Sequence, residues 1–417
     1  MEIKRDYYLN KLIKHKHNGF IKIISGVRRC GKSYLLFELF RQHLKDAGIS
    51  DDHIITIALD DRKYKEYRNP DNCYNYVEAS IKDKDMYYLL LDEVQMMDDF
   101  ESVLNGFLHI KNLDVYVTGS NSKFLSTDVV TEFRGRGDEI RIYPLSFSEY
   151  YEVVKGDWNK AWDAYCTYGG MPALFKFETD SEKKEYLKRL FKETYIKDVV
   201  ERNKIQNETE FEELLDVIAS NIGCLTNPKK LADTFNSVQK SSISEPTIKQ
   251  YLLYLSDAFL VNKVLRYDIK GKKYLNTPFK YYFIDAGLRN SRLNFRQIEQ
   301  THLMENIIYN ELIIRGYQID VGNIELREKQ KDNQYVKKQA EVDFVVNQGS
   351  KRYYIQSAYD MPTNEKKEQE EKSLIHIPDS FKKIIIVGGD VLPKHDEKGI
   401  TIIGLKDFLL NPNSLEL

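Results

Sequence analysis

Short apolar runs alternate with helical stretches over residues 20–146. This alternation is typical of a parallel sheet that is covered by helices. The run that begins at Met86 carries no charged residue before Asp92, as expected of a strand that is buried on both faces. We therefore predict an α/β fold that begins with a parallel five-stranded sheet. Its strands are predicted within Phe20–Ser25, His53–Asp60, Met86–Val94, Asp114–Ser120 and Glu139–Ser146.

The pattern changes after this region. Residues 147–202 are predicted to be helical, with an interruption at Tyr168–Pro172. Residues 210–285 predict helices followed by a β-hairpin, and residues 301–410 return to a mixed α/β pattern. These changes indicate further domains after the parallel sheet.

The segment Gly26–Ser33 fits the pattern GxxxxGK[ST] and lies between a predicted strand and a predicted helix. Glycines let backbone N–H groups approach a phosphate without a Cβ in the way, and the helix amino terminus adds a positive dipole end. Lys32 would bridge the β- and γ-phosphates, and Ser33 would supply a ligand to Mg²⁺. The predicted binding loop consists of Gly26, Val27, Arg28, Arg29, Cys30, Gly31, Lys32 and Ser33.

Two neighbouring carboxylates end the buried run 60 residues after Lys32. Asp92 would reach Mg²⁺, so Ser33 and Asp92 are the predicted metal residues. Successive side chains of a strand point to opposite sides, so Glu93 lies on the other side, where it would polarise the attacking water. Glu93 and Lys32 are therefore candidate catalytic residues. Arg28 and Arg29 would contact phosphate or pair with these acids, and the sequence leaves both roles open.

Two further positions are candidates for catalysis. If the strand at Asp114–Ser120 separates the strands of the two motifs, Ser120 or Asn121 would lie beside the γ-phosphate; otherwise they only begin a loop. Arg134 and Arg136 precede the last predicted strand. An arginine that reaches a neighbouring subunit's nucleotide raises the rate by about 10³–10⁵. A structural salt bridge is the alternative role, and we take Asn121 and Arg136 as the candidates.

Composition excludes several classes of protein. The chain has 62 Lys+Arg and 64 Asp+Glu, a formal charge of −2, so contact with nucleic acid would need a local basic patch. No apolar run approaches the roughly 18–20 residues of a membrane span, and the amino terminus lacks an apolar signal core. The four cysteines are too far apart for a metal knuckle or a disulfide framework. We expect a cytoplasmic protein without membrane association.

The segments SGVRRCGKS, LLLDEVQ, VTGSNSKFLS and RIYPLSFSEYY together resemble the prokaryotic AAA-type ATPases that carry a carboxy-terminal domain of unknown function. YGGMP, YIKDVVERNKI, YYFIDAGLRN, MENIIYNEL and EVDFVV extend the resemblance over nearly the whole chain. It implies ATP as the nucleotide and an added strand between those of the two nucleotide motifs. The implied domains are a P-loop core (1–155), a helical lid or connector (156–209), a winged-helix segment (210–290) and a mixed α/β domain similar to PD-(D/E)XK nucleases (291–417).

The residues of the middle region agree with a winged helix. Asn227 and Ser244 are predicted to cap two helices, and a hairpin that turns at Lys270–Lys273 would form the wing. Ten basic and four acidic residues between Leu225 and Lys280 give a local charge of +6. That charge is enough for several phosphate contacts on DNA. Packing against protein is an equally weighted alternative.

The last domain departs from the nuclease pattern. Glu305 and Asp343 stand where two metal-binding carboxylates belong, but the third motif reads Gln356-Ser357-Ala358. Gln cannot supply the negative charge and Ala cannot supply the ammonium of the expected lysine. We therefore predict an inactive, nuclease-like domain that serves for binding or docking.

These expectations combine into an ATP-binding protein and ATPase that uses Mg²⁺. Its nucleotide state would control how the winged-helix and nuclease-like parts engage DNA or an unidentified protein partner, and homo-oligomers are compatible with this function. The alternative is an ATP-dependent signalling or scaffold switch that hydrolyses little and does not bind DNA. An ATP-dependent nuclease is a third, disfavoured hypothesis.

Overall fold

The computed structural model describes residues 3–119, 135–238, 243–329 and 335–417. The chain forms two compact units. The first unit comprises Met1–Pro144 with Asp257–Phe259, and the second unit comprises Leu145–Ser256 with Leu260–Leu417. Within the described ranges, no helix has the length and apolar character needed to cross a membrane.

The first unit is a parallel sheet flanked by helices. Its strands are β1 (Ile21–Ser25), β2 (Ile54–Ala58), β3 (Tyr87–Asp92), β4 (Leu113–Thr118) and β5 (Gly137–Arg141). Its helices are α1 (Asp6–Lys14), α2 (Lys32–Tyr34), α3 (Arg41–Asp46), α4 (Pro70–Ser80) and α5 (Phe100–Phe107), and a π-helical segment, Leu35–Phe40, joins α2 to α3. Short 3₁₀ turns lie at Asp51–His53, Arg62–Arg68 and Val94–Met96.

The strand order in this sheet is β2-β3-β4-β1-β5, with every pair parallel. All five predicted strands are confirmed, and β4 is the expected added strand between β1 and β3. Every residue of β1 and β3 is buried, in agreement with the continuous apolar runs in the sequence. The carboxyl ends of β1, β4 and β3 therefore meet at one edge of the sheet, which is where the two nucleotide motifs begin.

The second unit begins with helices and ends in a mixed sheet. Its helices before the sheet are α6 (Phe147–Val154), α7 (Trp158–Tyr168), α8 (Asp180–Arg189), the π-helical Leu190–Ile196, α9 (Lys197–Asn203), α10 (Glu208–Ser220), α11 (Pro228–Val238) and α12 (Glu245–Asp257), with a 3₁₀ turn at Pro172–Lys176. The strands and later helices are β6 (Val261–Asp268), β7 (Lys273–Phe283), α13 (Ala286–Arg292), α14 (Gln300–Ile314), β8 (Gln318–Lys329), β9 (Tyr335–Gln348), β10 (Lys351–Ala358), α15 (Asn364–Ile375), β11 (Lys382–Val387), β12 (Lys394–His395), β13 (Ile400–Gly404), α16 (Leu405–Leu410) and the turn Ser414–Glu416.

The eight-stranded sheet has the order β12-β13-β11-β10-β9-β8-β6-β7. The helices predicted after Asn227 and Ser244 are present, and both side chains accept backbone hydrogen bonds at the helix starts. The hairpin β6–β7 differs from the expected free wing, because β6 also pairs in parallel with β8. Arg266 reinforces this pairing with a 2.6 Å hydrogen bond to Asn323 Oδ1. The hairpin thus satisfies the backbone groups of β8 and shares one sheet with the predicted nuclease-like domain, across the boundary expected at residue 290.

Candidate nucleotide site

The predicted phosphate loop follows β1 directly and relies on glycine at two positions. Gly26 and Gly31 have φ values of 142° and 103°, which L side chains rarely adopt. A Cβ on Gly26 would lie 2.2 Å from the carbonyl oxygen of Ile142. The loop therefore needs glycine both for its backbone conformation and for its close approach to the segment after β5.

Lys32 begins the helix after the loop and turns its side chain back onto it. Its Nζ atom donates hydrogen bonds of 3.0 Å to the carbonyl oxygens of Gly26 and Val27. Lys32 is only 4% exposed, and these two carbonyls provide the partners that a buried ammonium needs. The ammonium is thus held at the loop, where the sequence predicts phosphate.

Asp92 joins the two nucleotide motifs. Its carboxylate accepts a hydrogen bond from the hydroxyl of Thr118, and the hydroxyl of Ser33 lies near enough to lower the pKa of this carboxyl. Asp92 is 3% exposed, and burial raises the pKa of its carboxyl, while the two hydroxyl donors oppose that rise. The predicted metal residues Ser33 and Asp92 therefore lie close to each other. A hydroxyl and a carboxylate oxygen are suitable ligands for Mg²⁺, so this pair fits the ion that the fold implies.

Glu93 lies immediately beyond β3 with a left-handed backbone, φ 53°. Its N–H donates a 3.1 Å hydrogen bond to Thr118 Oγ1, and its carboxylate accepts one from the side-chain amide of Gln95. Thr118 thus binds the backbone of one predicted acid and the carboxylate of the other. The sequence interpretation missed Thr118 because it placed the residues that follow, Ser120 or Asn121, beside the γ-phosphate. A polar residue at the end of an apolar strand was nevertheless a visible signal.

The buried loop residues serve packing, and a residue of the amino-terminal segment supports them. Val27 and Cys30 are buried, whereas Arg28 is half-buried and Arg29 is exposed. Arg5 donates hydrogen bonds to the carbonyl oxygens of Cys30 (3.1 Å) and Tyr143 (2.7 Å). This arginine directly precedes α1, and its two hydrogen bonds connect the start of that helix to the phosphate loop and to the segment after β5. No motif in the sequence indicated this role.

Of the remaining candidates for catalysis, the structure describes Arg136 alone. Ser120, Asn121 and Arg134 fall outside the described residues. Arg136 is exposed, and its carbonyl oxygen accepts a 3.0 Å hydrogen bond from the N–H of Ile21. Ile21 begins β1, whereas the phosphate loop follows the end of that strand about 16 Å away. Arg136 therefore lies at the opposite edge of the sheet from the phosphate loop of its own subunit.

The acids predicted in the last domain form a separate cluster. Glu305 lies on α14 and Asp343 on β9, and both point towards Lys280 of β7. Gln356 does not contribute a charge there; its Oε1 atom accepts a 3.4 Å hydrogen bond from the backbone N–H of Asp343. The sequence counted Lys280 among the surface charges for DNA, but the structure buries it.

Comparison with known families agrees with the fold and with the phosphate loop. Residues 18–151 match a family described as an AAA domain, and residues 159–299 match a domain of unknown function, DUF8612. With the strand order and loop described above, the AAA match defines the first unit as a P-loop domain of the AAA-type ATPases.

Two relatives match most of the chain, beyond the AAA domain. An uncharacterized protein from Haemophilus influenzae is 32% identical over 414 residues, which cover 98% of either chain. The uncharacterized protein MJ1544 from Methanocaldococcus jannaschii is 31% identical over 384 residues, which cover 88% of this chain and 80% of the relative. This chain belongs to the same family as these two proteins.

One solved structure with a similar chain is the Aeropyrum pernix ORC1 protein in complex with DNA. It is 8% identical, with a TM-score of 0.30 over 76% of this chain and 94% of the other. With a TM-score this low, the likeness says nothing about the function of this chain.

Proposed function

We propose that this protein is a cytoplasmic ATPase whose nucleotide state controls how the second unit engages DNA or a protein partner. The observation that carries the proposal is that Asp92 accepts a hydrogen bond from Thr118 and has the hydroxyl of Ser33 beside the same carboxylate. This proximity of the phosphate loop to the acidic strand end supports nucleotide hydrolysis, which needs both elements.

Each residue of the site has a role in this proposal. Lys32 would leave its loop carbonyls to bind the β- and γ-phosphates, and Ser33 and Asp92 would hold Mg²⁺. The ion, when bound, neutralises charge on the phosphates. Glu93 would orient the attacking water and accept its proton. One oxygen of this carboxylate, Oε2, accepts a hydrogen bond from the side-chain amide of Gln95 in the structure.

Phosphate release under single-turnover conditions tests the chemistry. Wild-type protein is expected to hydrolyse ATP with Mg²⁺, and Lys32→Ala is expected to lose at least about 100-fold in rate. Lys45→Ala is the matched control, because Lys45 lies on α3, outside the phosphate loop, and pairs with the exposed Asp51. Equal rates in wild type and Lys32→Ala would contradict the proposal, as would failure to retain ATP in equilibrium dialysis.

The electrostatic support for DNA binding is weaker than the +6 charge of the sequence indicates. Lys280 and Arg266 are buried, and Lys249 forms an ion pair with Glu245. The exposed lysines Lys272 and Lys273, at the turn of the β6–β7 hairpin, provide surface charge. We propose this turn as the DNA contact, with a protein partner as the alternative. Fluorescence anisotropy on duplex DNA across a salt series distinguishes DNA binding from binding of a protein partner. Binding that weakens steeply with salt would indicate phosphate contacts, and no binding would favour the protein partner.

A second function, an ATP-dependent switch with little hydrolysis, is favoured by one contact. The amide of Gln95 holds the carboxylate that would activate water. If this contact persists with nucleotide bound, Gln95→Ala should raise the hydrolysis rate while ATP affinity stays the same. An unchanged or reduced rate would favour the ATPase over the switch.

A further inference from the structure

Three carboxylates of the second unit surround one ammonium group. The Nζ atom of Lys280 lies 2.9 Å from Glu305 Oε1, 2.7 Å from Glu341 Oε1 and 3.8 Å from Asp343 Oδ1. Lys280 is 2% exposed. It is supplied by β7, whereas Glu305 comes from α14 and the other two acids come from β9. A cation from the hairpin therefore sits at the meeting point of three elements.

The electrostatics keep this lysine charged. Burial by itself lowers the pKa of Lys280, but the negative charges of Glu305, Asp343 and Glu341 outweigh it and raise that pKa above its ordinary value. Burial raises the pKa of Asp343, with a further rise from the charge of Glu305 and an opposing effect of Lys280. The ammonium thus supplies the positive charge that makes the buried carboxylates tolerable.

Two further donors of the protein bind oxygens of this cluster. Tyr282 donates its hydroxyl hydrogen to Glu305 Oε1 at 2.6 Å, and the N–H of Ser357 donates to Asp343 Oδ2 at 2.8 Å. In the part of the chain that the structure describes, these acids do not bring three ligand atoms within 4.8 Å of one another. Mg²⁺ would need oxygens converging at about 2.0–2.1 Å. The residues present therefore do not fit the metal that the resemblance to nucleases implies.

We propose that Lys280 closes a divalent-cation site, so that the cation of this carboxylate cluster is part of the chain itself. On this proposal, the nuclease-like domain is inactive because Lys280 takes the place of the metal ion. The sequence analysis gave a different reason, the missing charges at Gln356 and Ala358. The ammonium occupies the space between the carboxylates, and it joins the hairpin to α14 and β9. This inference does not depend on nucleotide hydrolysis in the first unit.

Replacing Lys280 with alanine should open the site. The variant removes the ammonium and leaves room for an ion among three carboxylates. We expect the full-length Lys280→Ala protein, without nucleotide, to bind a single Mn²⁺ by electron paramagnetic resonance titration. Mn²⁺ should also raise its Tm by several degrees, because an ion that binds only the folded state stabilises it. Both effects should disappear when Glu305→Gln is added.

Wild-type protein and Lys280→Met are the comparisons. Lys280→Met keeps the length of the side chain without its charge, so it should fill the site and show no Mn²⁺-dependent rise in Tm. If Lys280→Ala folds poorly, its refolding yield is measured with and without Mn²⁺ instead of its Tm. A yield that rises with Mn²⁺ in the alanine variant, but not in the wild type or Lys280→Met, supports the proposal. Mn²⁺ binding by the wild type that Glu305→Gln abolishes would overturn it, as would an alanine variant that neither binds nor responds to Mn²⁺.

Plasmid nicking provides an independent check. If Lys280 acted instead as the lysine of an active nuclease, the wild type would nick DNA with Mg²⁺ or Mn²⁺ and Lys280→Ala would not. We expect no nicking by the wild type. Nicking that Lys280→Ala or Asp343→Ala removes would overturn the proposal.

Discussion

The backbone N–H of Gly170 donates a 2.6 Å hydrogen bond to Asp285 Oδ2, and this bond joins two segments that lie 115 residues apart in the chain. Asp285 is buried, and its other oxygen accepts a 2.9 Å bond from the N–H of Leu288 at the start of α13. The two segments are the YGGMP and YYFIDAGLRN motifs, for which the sequence indicated no chemical role. In the structure they form one joint that holds α7 against α13.

This joint predicts a pH dependence of stability. Burial raises the pKa of Asp285 from 3.8 to about 6, although the backbone donors oppose the rise. The folded state therefore binds this proton more tightly than the unfolded state. The resulting stabilisation is fully present below about pH 4 and is lost as the pH rises through about 6; two pKa units correspond to roughly 3 kcal/mol.

The measurement is urea unfolding of wild type and Asp285→Asn between about pH 4 and 7. Both tryptophans, Trp158 and Trp162, lie on α7, so their fluorescence reports unfolding of the second unit. Wild-type stability relative to the variant should fall by roughly 3 kcal/mol over this range. The exposed substitution Asp360→Asn serves as control. A difference between wild type and Asp285→Asn that stays constant with pH would contradict the prediction.

Gly287→Ala should destabilise the same joint. In an ordinary helix interior alanine is favoured over glycine by about 1 kcal/mol, but a Cβ at Gly287 would lie 1.9 Å from the backbone carbonyl oxygen of Tyr168. We expect a loss of at least about 2 kcal/mol, seen as a lower Tm by circular dichroism. Gly106→Ala is the matched control in α5, because its Cβ would meet the movable ring edge of Tyr74 at 2.8 Å. An equal or smaller loss at Gly287 would count against this account.

Thr118→Val should separate nucleotide binding from hydrolysis. Valine keeps the shape of threonine, but Asp92 loses a hydroxyl donor and the N–H of Glu93 loses its acceptor. Since the hydroxyl opposes the raised pKa of Asp92, its loss should raise that pKa further and weaken Mg²⁺ binding. We expect kcat to fall by about 10–100-fold, with a higher Mg²⁺ requirement and little change in ATP retention. Thr118→Ser keeps the hydroxyl and should behave like wild type; a similar loss in Thr118→Ser would show that the hydroxyl is not responsible.

The position of Arg136 predicts complementation between subunits. Because Arg136 lies at the opposite sheet edge from its own phosphate loop, a catalytic role would require the nucleotide of another subunit. Arg136→Ala and Lys32→Ala should each be inactive alone, yet a mixture should recover part of the ATPase activity. In mixed oligomers, an intact loop from one subunit meets an intact arginine from the other. A mixture no more active than its components would leave Arg136 with a structural role only.

The nucleotide site was predictable because its signals are local. The loop Gly26–Ser33 has a fixed spacing and a strand-to-helix setting, and the buried run ending at Asp92 indicates a central strand. The resemblance to AAA-type ATPases implied the added strand β4 between β1 and β3, and the strand order confirms it. Thr118 was missed although its position at the end of an apolar strand was visible, because its contact with Asp92 depends on the register of β3 and β4.

The sequence by itself determined the parallel sheet, the phosphate loop and the helix starts at Asn227 and Ser244. It also showed that Gln356 and Ala358 depart from the nuclease pattern. Each of these features depends on neighbouring residues or on the periodicity of a single element. Only the tertiary structure decided that Lys280 is buried among Glu305, Glu341 and Asp343, that Gly170 meets Asp285, and that Arg136 lies away from its own loop. Burial and charge pairing between distant segments arise from chain packing, and a lysine that is buried in the fold has the same appearance in the sequence as one on the surface.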